Sequence, residues 1–152
     1  MELVKLKSGS ILEEKEGYSR IVALDNWIFM SLTAGRDYKT RVMPETVVEQ
    51  ARQAMKNVEG ALEAVGSSLA DVVRRRIFIP RQEDVPEVMA YMGEKFRDIS
   101  PASCVSCGPL GGPEYLFEIE LTAYRGAGSR RRTWWSRSNG KSGGTERFPL
   151  IP

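Results

Sequence analysis

The sequence predicts an α+β sandwich, in which two helices pack on one face of a mixed sheet of five or six strands. Short apolar runs indicate the strands, and two longer segments with apolar residues at intervals of three and four indicate the helices. The order along the chain is β-β-α-β-α-β-β, and an N-terminal strand at residues 2–7 would be the sixth. Two helices are too few to cover both faces of so wide a sheet, so one face is left for another partner.

The first half of the domain contains a strand pair and a long helix. Residues 18–24 and 27–33 are predicted as strands joined by a turn at Asp25-Asn26. The helix begins soon after Pro44 and ends at Gly66. Its apolar face consists of Val47, Val48, Ala51, Met55, Val58, Leu62 and Val65.

The second half alternates strands with one more helix. Residues 72–79 form a strand closed by Pro80, and further strands are predicted at about 103–108 and 115–124. A second helix begins at Asp84, where Glu87 three residues on indicates a capping box. The apolar face of this helix consists of Val85, Val88, Met89, Met92 and Phe96.

The charge distribution divides the chain into a domain, residues 1–125, and a basic tail, residues 126–152. The domain carries 16 Lys/Arg against 19 Asp/Glu, and the tail carries six against one. The tail is rich in Gly, Ser and Arg and lacks an amphipathic period, so we predict that it is disordered. Trp134 and Trp135 among its arginines would allow stacking on nucleic acid. Because the domain is net acidic, we expect no nucleic-acid binding except through this tail.

The composition excludes several kinds of active site. The chain has no histidine, so it has no Ser-His or Cys-His nucleophile pair and no His-ligated zinc. Cys104 and Cys107 have C-x-x-C spacing, but residues three apart on a strand lie on opposite faces. We therefore expect buried structural thiols and no metal site. Any acid–base chemistry then falls to carboxylates, Tyr, Lys, Cys, backbone groups or water.

The hydropathy pattern argues against a membrane protein. No apolar run approaches the roughly 20 residues that span a bilayer. The N-terminus, with Glu2, Lys5 and Lys7, lacks the apolar core of a signal peptide. We expect a cytoplasmic protein.

Charged residues within the predicted strands point to a polar cleft. Glu118 and Glu120 share one face of a strand and repel each other unless a partner or water separates them. Arg74 and Arg76 share one face of another strand, and Arg75 lies on the opposite face. A partly buried arginine is costly unless it is paired, and the two glutamates are candidate partners. Such a face suggests burial against another subunit, although the arginines could instead reach solvent at a sheet edge.

Eight short segments of the chain, taken together in their order and spacing, form a pattern that is more specific for a protein family than any one segment alone. They are Gly17-Tyr18-Ser19, Asn26 to Ser31, Gln50 to Gln53, Asn57-Val58, Ala64-Val65-Gly66, Leu69 to Val73, Pro101-Ala102 and Glu118-Ile119-Glu120. In this pattern the chain resembles the YjgF/Rid (reactive intermediate deaminase, L-PSP) family over residues 17–124. The resemblance implies a chorismate-mutase-like fold and a homotrimer that binds a small-molecule ligand in clefts between subunits.

The best-known branch of this family hydrolyses enamines and imines to a 2-oxo acid and ammonia without a metal or organic cofactor. By resemblance, Glu120 helps to hold the attacking water and Tyr18 lines the cleft. The resemblance also places Ser31, Leu32 and Val105 against the ligand.

The sequence departs from that branch at three positions. The branch has an arginine directly after Pro-Ala that binds the substrate carboxylate, and this chain has Ser103 there. A serine hydroxyl cannot form a bidentate ion pair with a carboxylate. Leu32 replaces a glycine of the branch, and Met89 replaces a frequent asparagine.

These departures lead to a modified functional prediction. We expect a Rid-like imine or enamine deaminase with altered or reduced activity, in which Glu120 is catalytic and Arg76 is a candidate substitute for the missing anion-binding arginine. The alternative is a trimeric small-molecule-binding or regulatory protein without catalysis. An endoribonuclease-type protein that acts on RNA is less favoured.

Overall fold

The computed structural model describes residues 1–130, which form one six-stranded sheet and three helices. The strands are β1 (Leu3–Leu6), β2 (Ile21–Leu24), β3 (Trp27–Ala34), β4 (Val72–Ile79), β5 (Ala102–Cys107) and β6 (Glu118–Tyr124). The helices are α1 (Ile11–Lys15), α2 (Val47–Ala64) and α3 (Val85–Phe96). The predicted tail lies outside the described residues from position 131 onward.

The sheet is mixed, with the strand order β1-β2-β3-β6-β4-β5. All neighbouring strands are antiparallel except β4 and β5, which are parallel and are connected through α3. β4 lies between β5 and β6, so β5 and β6, which flank the Gly/Pro-rich segment 108–113 along the chain, do not pair with each other. The predicted α+β class is confirmed, and β6 lies near the centre of the sheet.

The hydrophobic core lies between one face of the sheet and helices α2 and α3. Alternate residues of β4 and β6, among them Ile77 and Ile119, are fully buried on this face. Met55 of α2 and Met92 of α3 are buried in the same cluster. Burial of each such side chain contributes roughly 1.5–3 kcal/mol to folding. The opposite face, which these helices do not cover, is called the open face below.

The predicted capping box at Asp84 is wrong. Asp84 has helical backbone angles (φ −80°, ψ −17°), whereas an N-cap residue is usually extended. Its carboxylate makes no capping bond and accepts a hydrogen bond from Arg81 Nε at 2.7 Å. The side-chain cap of α2 is at Thr46, whose Oγ1 accepts from the Glu49 N–H at 3.3 Å.

The expectation of buried thiols is also wrong for the single chain, because Cys104 and Cys107 are both free and exposed. β5 is an edge strand that pairs only with β4, and all six of its residues are exposed. The two cysteines do face opposite ways, since Cys104 is in register with Arg76 of the open face and Cys107 with the buried Ile79.

Residues 1–130 contain neither a metal-ligand cluster nor a membrane-spanning helix. Within residues 1–130, no group of three or more His, Cys, Asp or Glu side chains could hold a metal ion. In the same range, no helix is long and apolar enough to cross a membrane.

Candidate functional site

The open face combines exposed aromatic rings with charged side chains. Trp27 and Phe29 of β3 are 45% and 48% exposed, and their ring centroids lie 6.4 Å apart. Tyr124 of β6 packs edge-on against Trp27 at 5.1 Å. Exposed apolar surface next to polar groups is typical of a surface that binds a partner or a ligand.

An ion pair crosses the centre of this face. Arg76 of β4 is in register with Glu120 of β6, and Arg76 Nη1 donates to Glu120 Oε1 at 2.8 Å. The predicted pairing of a β4 arginine with Glu120 is thereby confirmed. The Arg76 guanidinium also lies 5.3 Å from the centre of the Phe78 ring. Among residues 1–130, no donor occupies Glu120 Oε2, so that oxygen can accept a hydrogen bond from a bound molecule.

A β-bulge in β3 lies opposite Glu120, on the side of β6 that is away from β4. Met30 pairs with Leu121 and Thr33 pairs with Ile119, so Ser31 and Leu32 together oppose the single residue Glu120. Bulges of this kind are frequent next to active sites because they redirect the backbone. Two predicted contact residues, Ser31 and Leu32, therefore lie beside the predicted catalytic glutamate.

A buried ion pair fixes the conformation of this bulge. Arg20 is 4% exposed and Glu13 of α1 is fully buried, and Arg20 Nε donates to Glu13 Oε1 at 3.0 Å. Arg20 Nη1 donates to the Leu32 carbonyl at 2.7 Å, and Arg20 Nη2 lies 3.4 Å from the Tyr18 hydroxyl. Tyr18 is thus tied to the bulge through Arg20. Sequence reasoning missed this pair because a five-residue helix such as α1 has too few turns to show a period.

Glu118 is the second carboxylate of the open face. It is half-buried, and no described residue donates a hydrogen bond to its carboxylate. Burial raises the pKa of Glu118 above its usual value, and the nearby positive charge of Arg20 opposes this rise only in part. Glu118 and Glu120 share a face as predicted, but only Glu120 is paired with an arginine of β4.

The raised pKa of Glu118 leads to a pH-dependent prediction. Folding favours the protonated form, so the ionised carboxylate destabilises the fold as the pH rises through the folded-state pKa. The variant Glu118→Gln should therefore be more stable than the wild type at pH 7. The difference should disappear at about pH 3.5, below the usual glutamate pKa of about 4.3. Urea unfolding at the two pH values measures this, and a loss of stability at pH 7 would contradict it.

The remaining predicted residues lie on the other face of the sheet. Ser103 and Val105 of β5 are in register with Arg75 and the buried Ile77 of β4. Ser103 Oγ accepts a hydrogen bond from Arg75 Nε at 3.0 Å. One chain therefore brings Tyr18 to the bulge beside Glu120, but the sheet separates Ser103 and Val105 from that group.

A model of the endoribonuclease L-PSP family matches residues 9–125 of the chain. The chain belongs to the endoribonuclease L-PSP family. The predicted family and fold are thereby confirmed.

Named relatives and solved structures of the L-PSP family are consistent with this assignment. The 2-iminobutanoate/2-iminopropanoate deaminase of Escherichia coli K12 is 31% identical over 112 residues, covering 71% of this chain and 87% of that protein. The protein of the same name from Capra hircus is 31% identical over 113 residues, covering 72% and 80%. A crystal structure of a YjgF/YER057c/UK114 family member from Mycobacterium tuberculosis superimposes with a TM-score of 0.74 at 31% identity, covering 81% of this chain and 99% of that one.

Proposed function

We propose that this L-PSP family protein is a Rid-like deaminase that hydrolyses reactive imines or enamines to a carbonyl compound and ammonia. The named activity of relatives about 31% identical to it supports this reaction. The observation that carries the proposal is the carboxylate of Glu120 at the centre of the open face. One of its oxygens is held by Arg76, and the other has no donor among residues 1–130.

The geometry supports a specific role for Glu120. Its Oε2 accepts a hydrogen bond from a water molecule, which orients a lone pair of that water toward the imine carbon. Addition of the water breaks the C=N π bond and gives a carbinolamine. The carbinolamine then loses ammonia and leaves the carbonyl product. Arg76 keeps Glu120 in place through their ion pair, and this arrangement uses only side chains of the protein.

We propose that a complete cleft needs two chains. Ser103 and Val105 lie on one face of the sheet and Glu120 lies on the other, so a ligand between them contacts two different subunits. The exposed aromatic rings of the open face and the exposed edge strand β5 supply surface for such an assembly. The resulting protein is a cytoplasmic homotrimer with a small-molecule ligand in each cleft.

The oligomeric state can be measured directly. We expect a trimer of about 50 kDa, which corresponds to three chains of 17.0 kDa. Light scattering coupled to size-exclusion chromatography at micromolar concentration checks this value. A stable monomer would contradict the trimer and the cleft between subunits together.

The activity itself is tested with imines generated in situ. An amino-acid oxidase produces 2-iminobutanoate or 2-iminopropanoate, and the imine that survives is trapped and quantified against time. Addition of the wild-type protein should shorten the lifetime of the imine and speed the release of ammonia. Heat-denatured protein is the control. If the protein accelerates the hydrolysis of neither imine nor of a larger apolar one, the deaminase proposal fails and the binding-protein alternative is favoured.

A further inference from the structure

Arg75 holds a positive charge in a fixed position on the face of the sheet that carries Ser103. Its Nε donates to Ser103 Oγ at 3.0 Å, and its Nη1 donates to the Met92 carbonyl at 3.2 Å. The guanidinium lies 4.7 Å from the centre of the Phe96 ring. These contacts with β5 and α3 restrict the orientation of the planar group, so its remaining donors point in a defined direction.

This charge has no counter-ion in the described part of the chain. Within residues 1–130, no carboxylate lies within 4.0 Å of Arg75. A carboxylate does lie that close to each of four other arginines, namely Arg20, Arg36, Arg76 and Arg81. Partial burial lowers the pKa of Arg75, because removal from water disfavours the charged form of the guanidinium. A desolvated charge without a partner is costly, and a bound anion would offset this cost.

Two hydrogen-bond donors remain available where Arg75 meets β5. Arg75 Nη2 makes no hydrogen bond among the described residues. Ser103 Oγ accepts a hydrogen bond from Arg75 Nε, so the hydroxyl proton of Ser103 is free to be donated. Ser103 is also exposed. A carboxylate can accept one hydrogen bond from each of these two groups, and the bond from the guanidinium is charge-assisted.

We propose that Arg75 and Ser103 together bind the carboxylate of the substrate, with the charge supplied from β4 rather than from β5. The identity of this carboxylate, that of an imino acid, rests on the proposed function. Neither neighbouring arginine is suited to the task. Arg76 is paired with Glu120, and Arg74 is exposed and lies on the opposite face from Arg75. A carboxylated imine is therefore expected to bind even though position 103 is a serine.

Binding of the unreactive product tests this inference apart from catalysis. Wild-type protein is titrated with 2-oxobutanoate and with its neutral analogue 2-oxobutanamide, and binding is followed by ligand-observed NMR. We expect the acid to bind at least about tenfold more tightly than the amide. Arg75→Gln should weaken binding of the acid by about ten- to a hundredfold and leave binding of the amide unchanged.

Three further variants distinguish the loss of the Arg75 charge from a structural effect of the Arg75→Gln substitution. Arg74→Gln, which removes a neighbouring arginine on the opposite face, should bind the acid like the wild type. Ser103→Ala removes only the exposed hydroxyl and should weaken binding of the acid severalfold. This variant therefore tests the site even if circular dichroism shows that Arg75→Gln does not fold. Ser103→Arg in the Arg75→Gln background should restore binding of the acid.

Two results would overturn the inference: equal binding of acid and amide by the wild type, or undiminished binding of the acid by folded Arg75→Gln and by Ser103→Ala. Tight binding of the acid that depends on Arg75, together with no hydrolysis of any imine, would remove the deaminase activity but retain the carboxylate site.

Discussion

Replacing Glu13 with glutamine is expected to lower the free energy of unfolding by about 3–5 kcal/mol. Glu13 is fully buried and accepts hydrogen bonds from Arg20 Nε at 3.0 Å and from Ser8 Oγ at 2.6 Å. Glutamine has nearly the same shape but no charge, so the guanidinium of Arg20 would be left buried without a counter-ion. Urea unfolding at a fixed protein concentration measures the loss.

The adjacent residue provides a matched control for this experiment. Glu14 also forms an ion pair, with Lys7 at 2.6 Å, but its side chain is 74% exposed. Glu14→Gln should change the free energy of unfolding by less than about 1 kcal/mol, because exposed ion pairs contribute little. Equal small losses in both variants would show that the Glu13–Arg20 pair does not stabilise the fold as proposed.

Replacing Glu120 with glutamine is expected to lower kcat/KM for imine hydrolysis by at least about a hundredfold. An amide keeps the shape of the side chain but cannot hold and polarise water as a carboxylate does, and such groups typically contribute a factor of 10² to 10⁴. Steady-state kinetics with 2-iminobutanoate measures the change, and thermal unfolding of the same samples establishes that the variant is folded.

Glu59 supplies the control for Glu120. Its pair with Lys95 has the same 2.8 Å separation, and Glu59 is 35% exposed against 34% for Glu120. The Glu59–Lys95 pair joins α2 to α3 and takes no part in the open face. Glu59→Gln should therefore retain wild-type kcat/KM. If Glu120→Gln also retains it, Glu120 does not position the water.

Long periodic elements were predictable from the sequence. Helix α2 was expected between Pro44 and Gly66 and is observed at Val47–Ala64, and β4 has the predicted bounds. For α2 the apolar period extends over enough residues to determine the type of element and its buried face, whereas β4 was delimited by its apolar ends and by Pro80. Helix α1 was missed because five residues are too few to show a period.

Features that depend on the order of strands could not be predicted in the same way. The exposure of Cys104 follows from the edge position of β5, which becomes evident only once β6 is seen to lie between β3 and β4. Arg75 was placed correctly on the opposite face from Arg76, but its contact with Ser103 depends on the parallel register of β4 and β5. The Glu13–Arg20 pair likewise joins a short helix to the residue that precedes β2. A local pattern does not encode such contacts.

Mixing of two impaired variants tests most directly the claim that imines are hydrolysed in a cleft built from two chains. Glu120→Gln and Arg75→Gln are unfolded together in equal amounts, refolded together and assayed with 2-iminobutanoate. If Glu120 of one chain and Arg75 of its neighbour serve the same cleft, random trimers contain both intact residues in about one cleft in four. With substrate well below its KM, the mixture should then recover about a quarter of the wild-type rate per cleft, while each variant refolded alone should reach about a tenth of that rate or less. A mixture of confirmed mixed trimers that is as inactive as its components would contradict the shared cleft.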